Sequence, residues 1–154
     1  MLFYIFFCIL LAVAVFCVYA IARADFRRRI IPDAYLCPLL LLGLIIVNFF
    51  PWICSPTESV IGATFGYLLA SGIGWLFEKI GNTHSDIAPI GMGDIKLLAV
   101  GGIWLGVTGL SIAMAIACVC GMIWGRIKKQ KYIPFAPFFF VGAFLALIAL
   151  RFLL

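Results

Sequence analysis

Two aspartates, each at the end of an apolar run, are the residues best suited to chemistry in this 154-residue chain. Asp94 stands in Gly91-Met92-Gly93-Asp94-Ile95-Lys96, at the mouth of a long apolar run. Asp25 stands just past the first apolar run, in Arg23-Ala24-Asp25-Phe26-Arg27-Arg28-Arg29. An ionisable group at membrane depth costs roughly 2.5–3.5 kcal/mol, so a carboxylate there marks function by default. Two carboxyls in one site cannot both ionise easily; they share a proton and titrate as a unit. The charged member then takes a proton from water while the neutral member polarises a carbonyl, which is chemistry suited to peptide hydrolysis. The inert alternative makes Asp94 a helix cap. Gly91 and Gly93 permit backbone conformations that other residues resist, and let a substrate backbone come near. Lys96, two residues beyond Asp94, points to another helix face and suits snorkelling to phosphate headgroups.

These acids need a scaffold, and the composition says where it sits. The chain is 66% hydrophobic and 11% charged, against about 45–50% and about 25% in a soluble domain. It reads as a polytopic, all-α membrane protein, a single domain over 1–154. Its net charge of +5 comes from short basic loops, which in such a chain report orientation and give no reason to expect nucleic acid. Five of its six cysteines lie inside apolar runs and no Cys-x-x-Cys pair exists, so neither a zinc site nor a disulfide framework is expected. No other metal or cofactor is expected. The lone His84 reads as a solvated loop residue.

Six spans fit the pattern. The first runs from 2 to 22, roughly 31 Å at 1.5 Å per residue, and ends in the basic loop 23–29. The second, 34–50, is preceded by Pro32 and by Asp33 as its expected N-cap. Trp52, in the turn that follows, is placed as an interfacial anchor. The third, 60–77, carries Gly62, Gly66, Ala70 and Gly74 every four residues, a stripe that lets helices approach closely. The stretch 95–125 is about 46 Å as one helix, too long for one crossing. It is expected to form two short helices with a turn near 106–109. The last span runs from 133 to 154. This places both termini outside, ten of the eleven Lys and Arg on the cytoplasmic side, and Arg151 alone outside, a strong positive-inside pattern. Asp25 and Asp94 then share one depth at the cytoplasmic edge, and a common site requires the first and fourth spans to be neighbours. The first span lacks a preceding positive charge and is longer than a signal-peptide core, so it is expected to stay uncleaved.

Three blocks in register resemble a known family. Asp25-Phe26-Arg27-Arg28-Arg29-Ile30-Ile31-Pro32-Asp33 is similar to the first block of type IV prepilin peptidases. Gly91-Met92-Gly93-Asp94-Ile95-Lys96-Leu97-Leu98-Ala99, continuing to Gly106, is similar to the second. Ile133-Pro134-Phe135-Ala136-Pro137-Phe138 resembles the third, which more often reads Pro-Phe-Gly-Pro, so Ala136 departs. The resemblance implies a Gly-x-Gly-Asp intramembrane aspartyl protease of the bacterial cytoplasmic membrane, with Asp25 and Asp94 as the catalytic pair. Asp33, Gly91, Gly93, Lys96, Pro134 and Pro137 would support the motifs or contact substrate. The implied substrates are prepilins or pseudopilins, cut where a short basic leader meets an apolar helix at the cytoplasmic face, with membrane lipids as the surroundings. Longer relatives carry a Cys-x-x-Cys insert associated with N-methylation. Its absence here implies a compact, peptidase-only form. The alternative from a different class is a small proton- or ion-coupled transporter or an assembly subunit. Against the transporter stand the lack of a clear internal repeat and the position of both acids at the membrane edge rather than its middle.

Overall fold

A computed structural model describes residues 1–80, 90–128 and 133–153. The His84 loop, with Asp86, and the basic residues Lys129 and Lys131 lie outside the described residues. The described residues are all helical outside short links: α1 Leu2–Arg28, α2 Asp33–Phe49, α3 Pro56–Ile80, α4 Met92–Lys128 and α5 Phe135–Leu153. Among them, α1, α3, α4 and α5 are long and apolar enough to cross a membrane, while α2 is a shorter apolar helix. Large apolar side chains such as Phe16, Phe77 and Phe144 are exposed along these helices, as expected where the surrounding solvent is lipid.

The first helix is longer than its apolar run. It continues through Arg23, Asp25, Arg27 and Arg28, so the expected basic loop 23–29 is corrected to the last turns of a helix. Nothing between Ala22 and Arg28 breaks a helix, and the terminal arginines complement the negative end of its dipole. Arg29 closes it in a left-handed conformation (φ 54°, ψ 40°), its N–H donating to the Asp25 carbonyl at 2.9 Å. Asp25 is therefore held on a regular helix.

Pro32, not Asp33, occupies the N-cap of α2, and no side chain caps that end. The helix stops at Phe50, which is extended ahead of Pro51 (φ −125°, ψ 154°), as the proline ring requires. The entry to α3 is a reciprocal capping box, a pattern Ser55-Pro56-Thr57-Glu58 announces in sequence. The Ser55 N–H donates to Glu58 Oε2 at 2.8 Å, and the Glu58 N–H donates to Ser55 Oγ at 3.3 Å. Trp52 is tied inward as well as placed at an end, since its Nε1–H donates to the Trp104 carbonyl at 2.8 Å.

The segment 92–128 is interrupted at Gly106, whose φ of 64° and ψ of −173° lie outside any helix. The halves fold back on each other. A methyl placed on Gly101 would lie 3.5 Å from Leu110 Cδ1, whereas nine residues along a straight helix span about 13 Å. The break falls within the expected 106–109. Its conformation is one that only glycine adopts without strain.

The small-residue stripe of α3 works over its first half. A methyl on Gly62 would lie 2.5 Å from the Gly102 carbonyl oxygen, and one on Gly66 would lie 2.6 Å from that of Leu98. Ala70 is buried. Gly74 meets nothing within 4 Å, which corrects its expected part in the contact. At the centre, α4 packs on α2, α3 and α5, while α1 packs on α2 and α5. Among the described residues the backbones of α1 and α4 do not approach closely, but the two helices touch through the rings of Phe26 and Trp124, edge to face at 6.4 Å. Further along, an apolar cavity of about 220 Å³ lies between the two helices, with Ala14 and Val18 on one wall and Val100 and Trp104 on the other.

Candidate active site

Asp25 is 5% exposed, an unusual position for a carboxylate. Its solvation is replaced by main-chain donors. The Ala136 N–H donates to Asp25 Oδ2 at 2.8 Å, and the Phe135 N–H also bonds the carboxyl. These N–H groups belong to the first turn of α5, which has no intrahelical partners for them. Pro134 and Pro137 bracket the pair and offer no N–H themselves. The Pro-Phe-Ala-Pro segment thus presents two donors to one carboxylate, at the positive end of a helix dipole. Pro134 is buried and Ala136 fully so, which fixes the start of α5 against the end of α1.

Asp94 lies in the first turn of α4. Gly91 precedes that turn as its cap: its carbonyl accepts from the N–H of Asp94 at 3.0 Å and of Ile95 at 3.3 Å. The Asp94 carboxyl reaches back to the Gly91 N–H, the acidic half of a capping box. The two glycines of the motif act through space rather than through conformational freedom, since among the described glycines only Gly106 has a positive φ. A methyl on Gly91 would press within 3.2 Å of Asp94 Oδ2, and one on Gly93 would come within 2.9 Å of Ile31 Cβ. Gly91 leaves room for the carboxyl; Gly93 lets the start of α4 sit on the link after α1.

Both acids therefore sit at helix N-termini, Asp94 on its own helix and Asp25 on a neighbour. Burial and the charge of Asp25 are the main influences on Asp94, so the two carboxyls are within electrostatic reach although the backbones of their helices are not adjacent. The bridge between them is α5 together with the 29–32 link. Capping and proximity to a second acid coexist at Asp94, where the sequence offered them as alternatives.

The remaining motif residues divide. Lys96 Nζ lies 2.6 Å from Asp33 Oδ2, with the side chains 44% and 57% exposed. This ion pair corrects the expected free snorkelling of Lys96 and joins the start of α2 to the first turns of α4. Ile31, Phe135 and Ala136 complete the site without having been singled out for a role. The main-chain role of 135 and 136 has no side-chain signature; the flanking prolines were its only trace. Among the described residues no cluster of potential metal ligands occurs.

Comparison with known proteins fits this geometry. The model of the type IV leader peptidase family matches residues 2–126. The chain belongs to that family. It is 38% identical over 130 residues to a prepilin leader peptidase/N-methyltransferase of Burkholderia pseudomallei (strain K96243), covering 80% of this chain and 40% of that protein. Proteins of the same description from Stutzerimonas stutzeri (33% over 136 residues; 84% and 45% covered) and Dichelobacter nodosus (34% over 129; 82% and 43%) are also similar. The chain spans less than half the length of these relatives. No solved structure matches it.

Proposed function

We propose that this chain is an intramembrane aspartic endopeptidase that removes the short basic leader from prepilin or pseudopilin substrates at the cytoplasmic membrane face. The observation that supports this reading is a buried, main-chain-bonded Asp25 whose charge reaches Asp94, both inside the region matched by the family. The two carboxyls hold one proton between them. The charged one removes a proton from water, which attacks the scissile carbonyl, and the neutral one hydrogen-bonds the carbonyl oxygen and later returns a proton to the leaving amine. The α5 N–H groups hold Asp25 in one orientation while this happens.

The topology offered is six crossings, counting the halves of α4 on either side of Gly106 as two. It is supported by the fold-back at Gly106 and by the basic residues at the Asp25 end of α1 and at the start and end of α4. The proposal covers leader cleavage and leaves out methyl transfer.

Co-expression with a prepilin tests the reading. Asp25→Asn and Asp94→Asn should each abolish leader removal, read as a mass shift, with the protein still in the membrane. Normal cleavage by either variant would remove the paired-acid mechanism.

A further inference from the structure

A second cavity, of about 460 Å³, opens between the last turns of α1, the link and the first turn of α2. Its lining includes Phe16, Tyr19, Arg23, Arg27 and Arg28 of α1, faced by Tyr35 of α2. These side chains are graded along the helix. Phe16 lies at the apolar end, Tyr19 one turn on, and the guanidinium groups beyond. Phe16 to Arg27 covers about 16 Å of rise. Phe16 and Tyr35 meet edge to face at 6.3 Å, which makes a continuous wall across the two helices. Among the described residues no carboxylate pairs with Arg23, Arg27 or Arg28, the described ion pair being Lys96–Asp33.

Three guanidinium groups with no acidic partner lining one cavity call for an anion, and the fork geometry of arginine suits phosphate oxygens. A free phosphate would engage the basic end alone. The apolar and phenolic surface below it matches the order of acyl chain, glycerol and phosphate in a lipid, and basic pockets between membrane helices bind such headgroups. We propose that this cavity binds an anionic phospholipid, with its phosphate on Arg23, Arg27 and Arg28 and the start of an acyl chain along Phe16 and Tyr19. This inference needs only a membrane-embedded α1, so it stands or falls separately from the peptidase reading.

Native mass spectrometry of the full chain in neutral detergent tests it, with dioleoyl phosphatidylglycerol, dioleoyl phosphatidylcholine and inorganic phosphate in separate arms. The wild type should retain phosphatidylglycerol in preference to phosphatidylcholine. Arg27→Gln should weaken that retention roughly fivefold, and the triple change of Arg23, Arg27 and Arg28 to Gln should abolish the preference. Phe16→Ala should weaken lipid retention without altering the response to phosphate. Neutralising Arg126 and Lys128 at the end of α4 should leave the preference intact. Equal loss in that control would mean diffuse attraction and overturn the site; so would an undiminished preference in the triple variant. Displacement of the lipid by millimolar phosphate would reassign the pocket to free phosphate and overturn the proposal. If the triple variant does not remain monodisperse, Arg27→Gln decides alone, judged against a matched thermal melt.

Discussion

The Ala136 N–H donates to the Asp25 carboxylate at 2.8 Å across 111 positions of sequence, so the start of the last helix orients an acid on the first. This contact makes residue 136 sensitive to bulk and tolerant of its absence. Ala136→Gly should retain leader cleavage at a stability cost of about 0.5–1 kcal/mol. Ala136→Leu, at a fully buried position, should displace the donor and lower cleavage by at least about tenfold, the value of one hydrogen bond to a charged group. Cleavage rates of the two variants at matched membrane levels check this.

The Lys96–Asp33 pair is exposed on both sides, so it should contribute little. A double-mutant cycle of Lys96→Ala and Asp33→Asn should give a coupling energy of about 0–1 kcal/mol in thermal unfolding. Neither change should reduce cleavage as the aspartate variants do. A loss from Lys96→Ala comparable to that from Asp94→Asn would move Lys96 into the catalytic group.

Helix contact along α3 should be uneven. Gly62→Ala forces a methyl against the Gly102 carbonyl and should destabilise by about 1–3 kcal/mol, the usual cost of overpacking. Gly74→Ala meets open space and should be neutral, or stabilising by up to about 1 kcal/mol through helix propensity. Gly106→Ala carries a backbone penalty of about 1–3 kcal/mol. Melting temperatures in one detergent rank the three.

Cys54 provides a pH test away from the acids. Burial, and then the charge of Glu58, push its thiol above the ordinary value of 9.0, against the hydrogen bond to Ser59 Oγ at 3.2 Å. Since the folded value is the higher one, the contribution is complete below pH 9 and is lost as pH rises through it. Wild-type melting temperature should therefore fall more steeply above pH 9 than that of Cys54→Ser. Equal slopes would show that the thiol is not the titrating group.

The all-helical, membrane-embedded character and the Gly106 break were legible in the sequence, because apolar length and glycine placement report directly on the membrane environment. It put Asp25 and Asp94 at one depth, but whether the two lie side by side depends on packing that a sequence does not display. The sequence did not make the end of α1 legible: charged residues end the apolar run at 22, but arginine and alanine readily continue the helix to Arg28. It misread Asp33, whose type suits a cap but whose partner lies 63 positions away in Lys96. For Gly91 and Gly93 it suggests both conformational freedom and close approach; the freedom is not used, and the groups that come close within the chain are a carboxyl and Ile31. Tertiary partners decide such matters, and side-chain type alone carries little information about them.

The donors that orient Asp25 are main-chain groups. Side-chain substitution at 135 or 136 can crowd or shift them, but among the twenty amino acids only proline deletes the group itself. The local chemistry at this carboxylate is therefore buffered against mutation. Sequence drift across the Pro-Phe-Ala-Pro segment can alter its packing and its dynamics while the capacity to donate persists.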